Sequence, residues 1–262
     1  MHEAELLFTE VLNCSRPELY LNRDLRLAKA KGALIAGVLK RRVSGEPLQY
    51  ILGKADFYGL QFKVNPGCLI PRPETEILVE TVIRLSGYPV IRLNILEIGT
   101  GSGCIALTLA KLLPEALITA TDISEKALAV AQENAVFHKV NINFIKADLF
   151  NTNNLTPNTY DLVISNPPYI RSGDIDTLQP EVRREPRVAL DGGADGLEVY
   201  RRIADSASQY LKDKGYLILE MGFGQTDAIV KILTKNRRFE IIEVVQDYNN
   251  IQRVIVAQKK AN

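Results

Sequence analysis

Histidine is almost missing from the 262-residue sequence: His2 and His138 are the only two. A histidine-built metal centre or a Ser-His-Asp triad has almost no raw material, and no metal is expected. Cysteine is scarce too, with Cys14, Cys68 and Cys104 odd in number, widely spaced and without a C-x-x-C pair. That pattern argues against a disulfide framework and for a reducing cytoplasm. An excess of either charge is lacking, since 32 lysines and arginines face 31 aspartates and glutamates. A net charge of +1 does not suit affinity won by neutralising many phosphates, so direct nucleic-acid binding is not expected. No 18 apolar residues run unbroken, and Met1-His2-Glu3-Ala4-Glu5 has no basic leader, so neither export nor a membrane span is expected. What remains is the 46% apolar, 24% charged balance of an ordinary globular chain, expected to act as a monomer.

The first stretch, to about Ile51, has helical spacing. Apolar positions recur through Ala4, Leu7, Phe8, Val11 and Leu12, then through Leu25, Leu27, Ala28, Leu34, Ile35, Val38 and Leu39. Ser15 before Pro17 marks a helix start, and Lys40-Arg41-Arg42 suits a helix C-terminus. Residues 57–64, aromatic and β-branched around Gly59, predict a short hairpin. Pro66, Gly67, Pro71 and Pro73 then punctuate the chain, and the expected division falls there, into a helical domain 1–72 and a second domain 73–262. A helix over 74–85 is followed by apolar strands at 95–98, 117–121, 142–145, 162–165 and 216–219, mostly with helical spacing between them. Runs at 241–245 and 254–257 close the chain as an antiparallel pair. This is the pattern of an α/β fold: a seven-stranded, Rossmann-like sheet, largely parallel, covered on both faces.

The strand ending in Glu97-Ile98 runs into Gly99, Thr100, Gly101, Ser102 and Gly103 before a helix opens at Cys104. Glycines there permit a sharp turn and bring backbone N–H groups against a nucleotide-like ligand. Gly101, Gly103 and Ala106 alone fit a dinucleotide fingerprint. Three glycines on alternate positions, with Glu97 upstream, fit S-adenosylmethionine better. Asp122, closing the next strand, can accept both ribose hydroxyls in either kind of site. Asp148, followed by Leu149, ends the third strand where an adenine amino group would lie, a place that also suits a turn former.

The fourth strand ends in Asn166, Pro167, Pro168 and Tyr169, beside the ligand crevice of such a sheet. Two prolines stiffen the loop and remove two N–H donors, leaving the Asn166 oxygen and the Pro167 carbonyl as acceptors and Tyr169 as an aromatic wall. Such a pocket suits a planar –NH2 group. Two acceptors gripping its hydrogens would aim the nitrogen lone pair at an electrophilic methyl group and stabilise the developing positive charge. The residues leave open an amide or an adenine amine as acceptor, an S-adenosylmethionine-binding protein without activity, and an NAD-dependent oxidoreductase.

Taken together, residues 45–53 (Gly45-Glu46-Pro47-Leu48-Gln49-Tyr50-Ile51-Leu52-Gly53), Ile70-Pro71-Arg72-Pro73-Glu74-Thr75-Glu76, 97–103, 165–170 and Gly192-Gly193-Ala194-Asp195-Gly196 resemble the bacterial release-factor glutamine methyltransferase family. The resemblance implies methyl transfer from S-adenosylmethionine to the glutamine of the Gly-Gly-Gln loop in peptide chain release factors, with release factors as protein partners. It implies cofactor contacts from Gly99, Thr100, Gly101, Ser102, Gly103, Asp122, Asp148, Leu149 and Asn166. Catalysis would rest on Asn166, Pro167 and Tyr169, and the substrate amide would be held by Asn166, Pro167, Pro168 and Tyr169. Leucine stands at 149 where some members carry an aromatic residue, so adenine stacking is not carried over to that position. A ribosomal-protein glutamine methyltransferase is the nearest relative sharing Asn-Pro-Pro-Tyr, and Arg72-Pro73-Glu74-Thr75-Glu76 favours the release-factor branch. Residues 171–187, rich in both charges, read equally as a partner-facing flap or a solvated loop.

Overall fold

In the computed structural model the described residues are 3–21, 27–87, 92–235 and 237–261. Four short helices open the chain: α1 (Glu3–Leu12), α2 (Arg16–Leu21), α3 (Lys29–Val43) and α4 (Leu48–Leu52). Leu7, Ile35, Val38 and Leu48 bury one another between them. The expected apolar stripe is narrower than the spacing implied, because Leu27, Leu34 and Leu39 are exposed and Leu25 lies outside the described residues. At the start of α2 the Ser15 N–H donates to the Glu18 carboxylate at 2.7 Å while the Glu18 N–H donates to Ser15 Oγ at 3.4 Å. That reciprocal pair is a capping box, with Pro17 seated in the first turn.

The hairpin forms as β1 (Lys54–Phe57) and β2 (Leu60–Lys63), turning through Tyr58 and Gly59, both at positive φ. Two left-handed residues give the turn a twist that matches the flanking strands. Although the sequence groups this hairpin with residues 1–72, its packing runs to the sheet. Phe57 and Phe62, in edge-to-face contact at 6.2 Å, sit fully buried in one cluster with Leu78, Val82 and Leu107. The linker residues Val64, Cys68 and Ile70 pack on Ala127 and Val130.

A 3-10 turn at Pro73–Thr75 leads into α5 (Glu76–Leu85). Alternation follows: β3 (Asn94–Ile98), α6 (Cys104–Leu112), β4 (Leu117–Asp122), α7 (Glu125–His138), β5 (Asn143–Lys146), β6 (Tyr160–Ser165), α8 (Glu198–Tyr210), β7 (Leu211–Glu220), α9 (Thr226–Lys235), β8 (Phe239–Gln246) and β9 (Gln252–Lys259). The seven strands line up as β5-β4-β3-β6-β7-β9-β8, the first five parallel and β9 antiparallel to both its neighbours. Successive strand residues feed opposite faces, as the pleat requires: Leu162 and Ile164 join the α5–α6 side, Val163 the α8–α9 side. Asn134 on α7, fully buried, is spent on the hairpin. Its Oδ1 accepts from the Lys63 N–H at 2.7 Å, and its Nδ2 donates to the carbonyls of Lys63 and Ser102 at 3.0 and 2.9 Å.

The hairpin is therefore part of the sheet domain's core, and Phe62→Ala should destabilise the whole chain by about 3–5 kcal/mol. Chemical denaturation followed by far-UV circular dichroism checks this. A loss below 1 kcal/mol would mean that the hairpin is dispensable to that core.

Candidate active site

Parallel pairing sets Ile98, the last residue of β3, beside Ser165, the last of β6, and the Ser165 hydroxyl donates to the Ile98 carbonyl at 2.7 Å. The glycine loop and the Asn-Pro-Pro-Tyr loop therefore leave the sheet side by side. Between them and the facing loops lies a cavity of about 580 Å³, lined by Gly99, Gly101, Asp122, Asp148, Leu149, Asn166 and Pro168 among others.

Within the glycine loop the residues divide their work. Gly99 and Gly101 line the cavity, and a Cβ built on either would meet no protein atom within 4 Å. A Cβ on Gly103 would instead fall 2.6 Å from Leu107 Cδ1 and 3.1 Å from Ala131 Cβ, so that glycine allows α6 to pack on α7. Thr100 and Ser102 are buried behind the loop, and neither lines the cavity. Thr100 Oγ1 donates to Glu97 Oε2 at 2.7 Å, while Glu97 Oε1 has no partner in a fully buried setting. Burial pushes the Glu97 carboxyl up to about 8, and the Thr100 hydroxyl opposes the shift.

Asp122 presents its carboxylate in the cavity wall, held by two backbone N–H groups: Ser124 to Oδ1 and Gly101 to Oδ2, each at 2.8 Å. Burial raises its pKa and these donors resist that rise. The cap of α7 is the Ser124 hydroxyl, which accepts from the Ala127 N–H at 3.2 Å, so Asp122 is left for the cavity. Asp148 does two things. Its carbonyl accepts from the Asn151 N–H at 3.0 Å in a turn that holds Leu149 at φ 55°, and its carboxylate pairs with Arg202 at 2.7 Å.

A second, smaller cavity of about 150 Å³ lies against Arg72, Pro167 and Tyr169. The two cavities share Leu69, Asn166 and Ala189, of which only Asn166 carries a polar side chain. Asn166 Nδ2 donates to Thr75 Oγ1 at 3.1 Å, which leaves Oδ1 as its unengaged end. Next to Asn166 lies Glu220, closing β7, because Ser165 pairs with Leu219 one residue earlier. Glu220 is buried with Oε2 unpartnered; burial pushes it up to about 7, opposed first by the Thr75 hydroxyl and then by Arg253.

The Gly192–Gly196 stretch now has a physical reason. A Cβ on Gly192 would sit 2.8 Å from the Pro168 carbonyl oxygen, and one on Gly196 would sit 2.5 Å from that of Tyr169. Gln225 fastens the same corner, its Nε2 donating to the Tyr169 carbonyl at 3.0 Å. The charged loop after the motif is a strap over both cavities. Its Glu185 is buried, accepts from the Ile70 N–H at 3.1 Å and pairs with Arg72. Glu181 pairs with Arg42 at 3.0 Å, and Arg184 donates to the Ser44 carbonyl at 2.9 Å, so the strap also grips the first helices.

Leu69, Ala189, Glu185, Glu220 and Gln225 escaped the sequence reading. Only Glu185 carried a signal, as one charge among many in its loop. Among the described residues no three histidine, cysteine, aspartate or glutamate side chains cluster as metal ligands, and no helix is long and apolar enough to cross a membrane.

Comparison with known proteins agrees with this geometry. Residues 73–183 match the Methyltransferase small domain, and residues 1–53 match the PrmC N-terminal domain. A methyltransferase from Pyrococcus furiosus superposes with a TM-score of 0.58 at 18% identity, over 89% of this chain and all of that one. Fold and site define a Rossmann-like methyltransferase. The release factor glutamine methyltransferase of Geobacter sulfurreducens is 42% identical over 97% of this chain and 87% of its own length. That of Fusobacterium nucleatum is likewise 42% identical, over 98% and 73%. At that identity and coverage the chain belongs to the release factor glutamine methyltransferase family, which sets aside the oxidoreductase and adenine-amine readings.

Glu97 generates a stability prediction. It stays neutral in the folded chain up to about pH 8 but ionises near 4.5 once exposed. Between those values the folded state binds the extra proton, so stability is full below 4.5 and falls as pH rises through 8, by at most about 1.4 kcal/mol per pH unit. Glu97→Gln removes that dependence. Its melting temperature minus that of the natural chain should grow from pH 5 to 8 and then level off; a difference independent of pH would remove the buried-neutral assignment.

Proposed function

We propose that the chain transfers the methyl group of S-adenosylmethionine to the side-chain amide nitrogen of the glutamine in the Gly-Gly-Gln loop of peptide chain release factors, in the cytoplasm. The observation that carries the reading is the meeting of a large and a small cavity at Asn166. One is of nucleoside size, inside the ~300–1,000 Å³ range of small-molecule sites. The other is lined by the stiff, acceptor-rich loop that an –NH2 group needs.

The residues present suit the methyl donor. Gly99 and Gly101 form a cradle that any Cβ would begin to fill, and the Asp122 carboxylate, pre-aligned by two N–H groups, has lone pairs left for ribose hydroxyls. Asp148 and Leu149 bound the end of the same cavity, where the base would lie. Thr100, Ser102 and Gly103 support the loop from behind. When bound, S-adenosylmethionine supplies an electrophilic methyl group on a sulfonium.

Everything else falls to the chain's own side chains. Asn166 Oδ1 and the Pro167 carbonyl take the two hydrogens of the substrate amide, which turns its nitrogen lone pair towards the cavity junction. The same acceptors stabilise the positive charge that develops on that nitrogen. Tyr169 walls the small cavity, and burial pushes its hydroxyl up to about 12, so it remains a neutral aromatic surface at physiological pH. The methylated amide cation is strongly acidic and sheds its proton without a dedicated base. Arg72 and Glu185 hold the rim through which a glutamine would enter.

We assign chemistry to residues 73–262 and recognition of the folded factor to the helices within 1–72, since one amide group offers little to discriminate. Exposed Leu39 and Val43, four residues apart on α3, give that region an apolar surface.

Two paired measurements test the assignment. Asn166→Ala should slow turnover by about 10²–10³ while calorimetric S-adenosylmethionine affinity stays within a few-fold. Asp122→Ala should instead weaken that affinity by about 2–3 kcal/mol. If Asn166→Ala methylates at the normal rate, the amide-gripping role is wrong. For recognition, a charge-bearing Leu39→Glu, Val43→Glu double variant should raise KM for the intact release factor about tenfold and leave affinity for the methyl donor unchanged. An unaltered KM would remove the role given to α3.

A further inference from the structure

Resting on the reading that Asn166 grips the substrate amide, we propose that Thr75 and Glu220 are positioning residues that fix which end of the Asn166 side chain faces the reaction. An asparagine amide has two ends of nearly equal size and opposite hydrogen-bonding sense. Turned one way it offers Oδ1 to the –NH2 group of a substrate; turned the other way it offers N–H against N–H, and the site repels its substrate. The Asn166 loop alone does not choose between them.

The choice is made behind the loop. Asn166 Nδ2 donates to Thr75 Oγ1 at 3.1 Å, and Thr75 is 3% exposed on the short turn that precedes α5. A hydroxyl could donate to Oδ1 as readily as accept from Nδ2, so this contact would not by itself discriminate. Glu220 supplies the bias. Continuing the Ser165–Leu219 register by one residue sets it beside Asn166, and its buried carboxyl, once ionised above about pH 7, only accepts. The Thr75 hydroxyl is the group that offsets its burial most. An acceptor on that side draws the Thr75 proton and the Asn166 Nδ2 towards it and repels Oδ1, so the lone pairs of Thr75 are left for Nδ2. Asn166 Nδ2 therefore points back towards Thr75 and Glu220, and Oδ1 is left at the cavity junction. This also gives a role to the threonine within Arg72-Pro73-Glu74-Thr75-Glu76 and to a carboxyl kept in the interior of the sheet with its Oε2 unpartnered. The neighbours of Thr75 have separate jobs: Arg72 pairs with Glu185, and Glu76 accepts from the Tyr58 N–H at 2.7 Å.

The test compares Thr75→Val, which removes the hydroxyl at constant shape, with Thr75→Ser, which keeps it. Thr75→Val should lower kcat for release-factor methylation about tenfold, the effect of one neutral hydrogen bond, with KM for the factor and donor affinity within twofold. Thr75→Ser should return at least half of the natural rate. In an Asn166→Ala background, Thr75→Val should cost nothing further, because it acts through that amide. Glu220→Gln, nearly isosteric and able to donate back to Thr75, should likewise lower kcat in the natural chain and have no added effect beside Thr75→Val. A natural kcat in both Thr75→Val and Glu220→Gln overturns the proposal, as does a tenfold loss from Thr75→Val that persists without Asn166. A different result, full activity in Asn166→Ala itself, would instead overturn the amide-gripping reading beneath it.

Discussion

The pairing of Ile98 with Ser165 is the constraint from which the site follows. Parallel strands in that register end at the same level, so the loops that leave them start as neighbours, one rich in glycine and one stiffened by proline. The first loop is shaped to let a ligand come close to backbone; the second has lost two N–H donors and is left as an acceptor surface. Ser165 locks the register with its own hydroxyl on the Ile98 carbonyl, a buried bond at the last possible position. A slip of either strand would separate the two loops and turn every inward side chain outward.

Around that junction the chain uses close backbone approach more than side-chain charge. Gly192 and Gly196 let a distant loop lie against the carbonyls of Pro168 and Tyr169, and Gln225 ties the same carbonyl from a third direction. The acceptor loop is thereby over-determined in position, which is what a reaction governed by aim requires. Charge enters mainly at the periphery. Arg42, Arg72 and Arg184 hold the strap between the helical region and the cavity rim, and the buried member of that set, Glu185, also takes a backbone N–H.

What could be read in the sequence is what local spacing encodes. Strand runs, the loop from Gly99 to Gly103 and the Asn-Pro-Pro-Tyr turn each announce themselves within a few residues, and the structure puts them where the alternation implied. Partners that meet across long sequence separations do not announce themselves. Leu69 and Ala189 complete the junction from segments 120 residues apart and are ordinary apolar residues in composition. Glu220 ends a strand as many acidic residues do; only the register beside Asn166 gives it a role. The hairpin was legible as a hairpin, yet its allegiance was not, because Phe57 and Phe62 look the same whichever core they enter. The apolar stripe of α3 is narrower than its spacing for a related reason: Leu34 and Leu39 have helical spacing but stay exposed among the described residues.

The bonds between Asn134 and Lys63 span 71 residues. During synthesis the hairpin emerges from the ribosome long before α7 exists to receive it. At roughly 5–20 residues per second the edge of β2 and the faces of Phe57 and Phe62 wait on the order of 4–14 seconds for their partners. The helices before the hairpin can bury Leu7, Ile35, Val38 and Leu48 among themselves, but its side-chain anchor is made last. The β1–β2 ladder is local, yet its docking on Asn134 waits until α7 has been made.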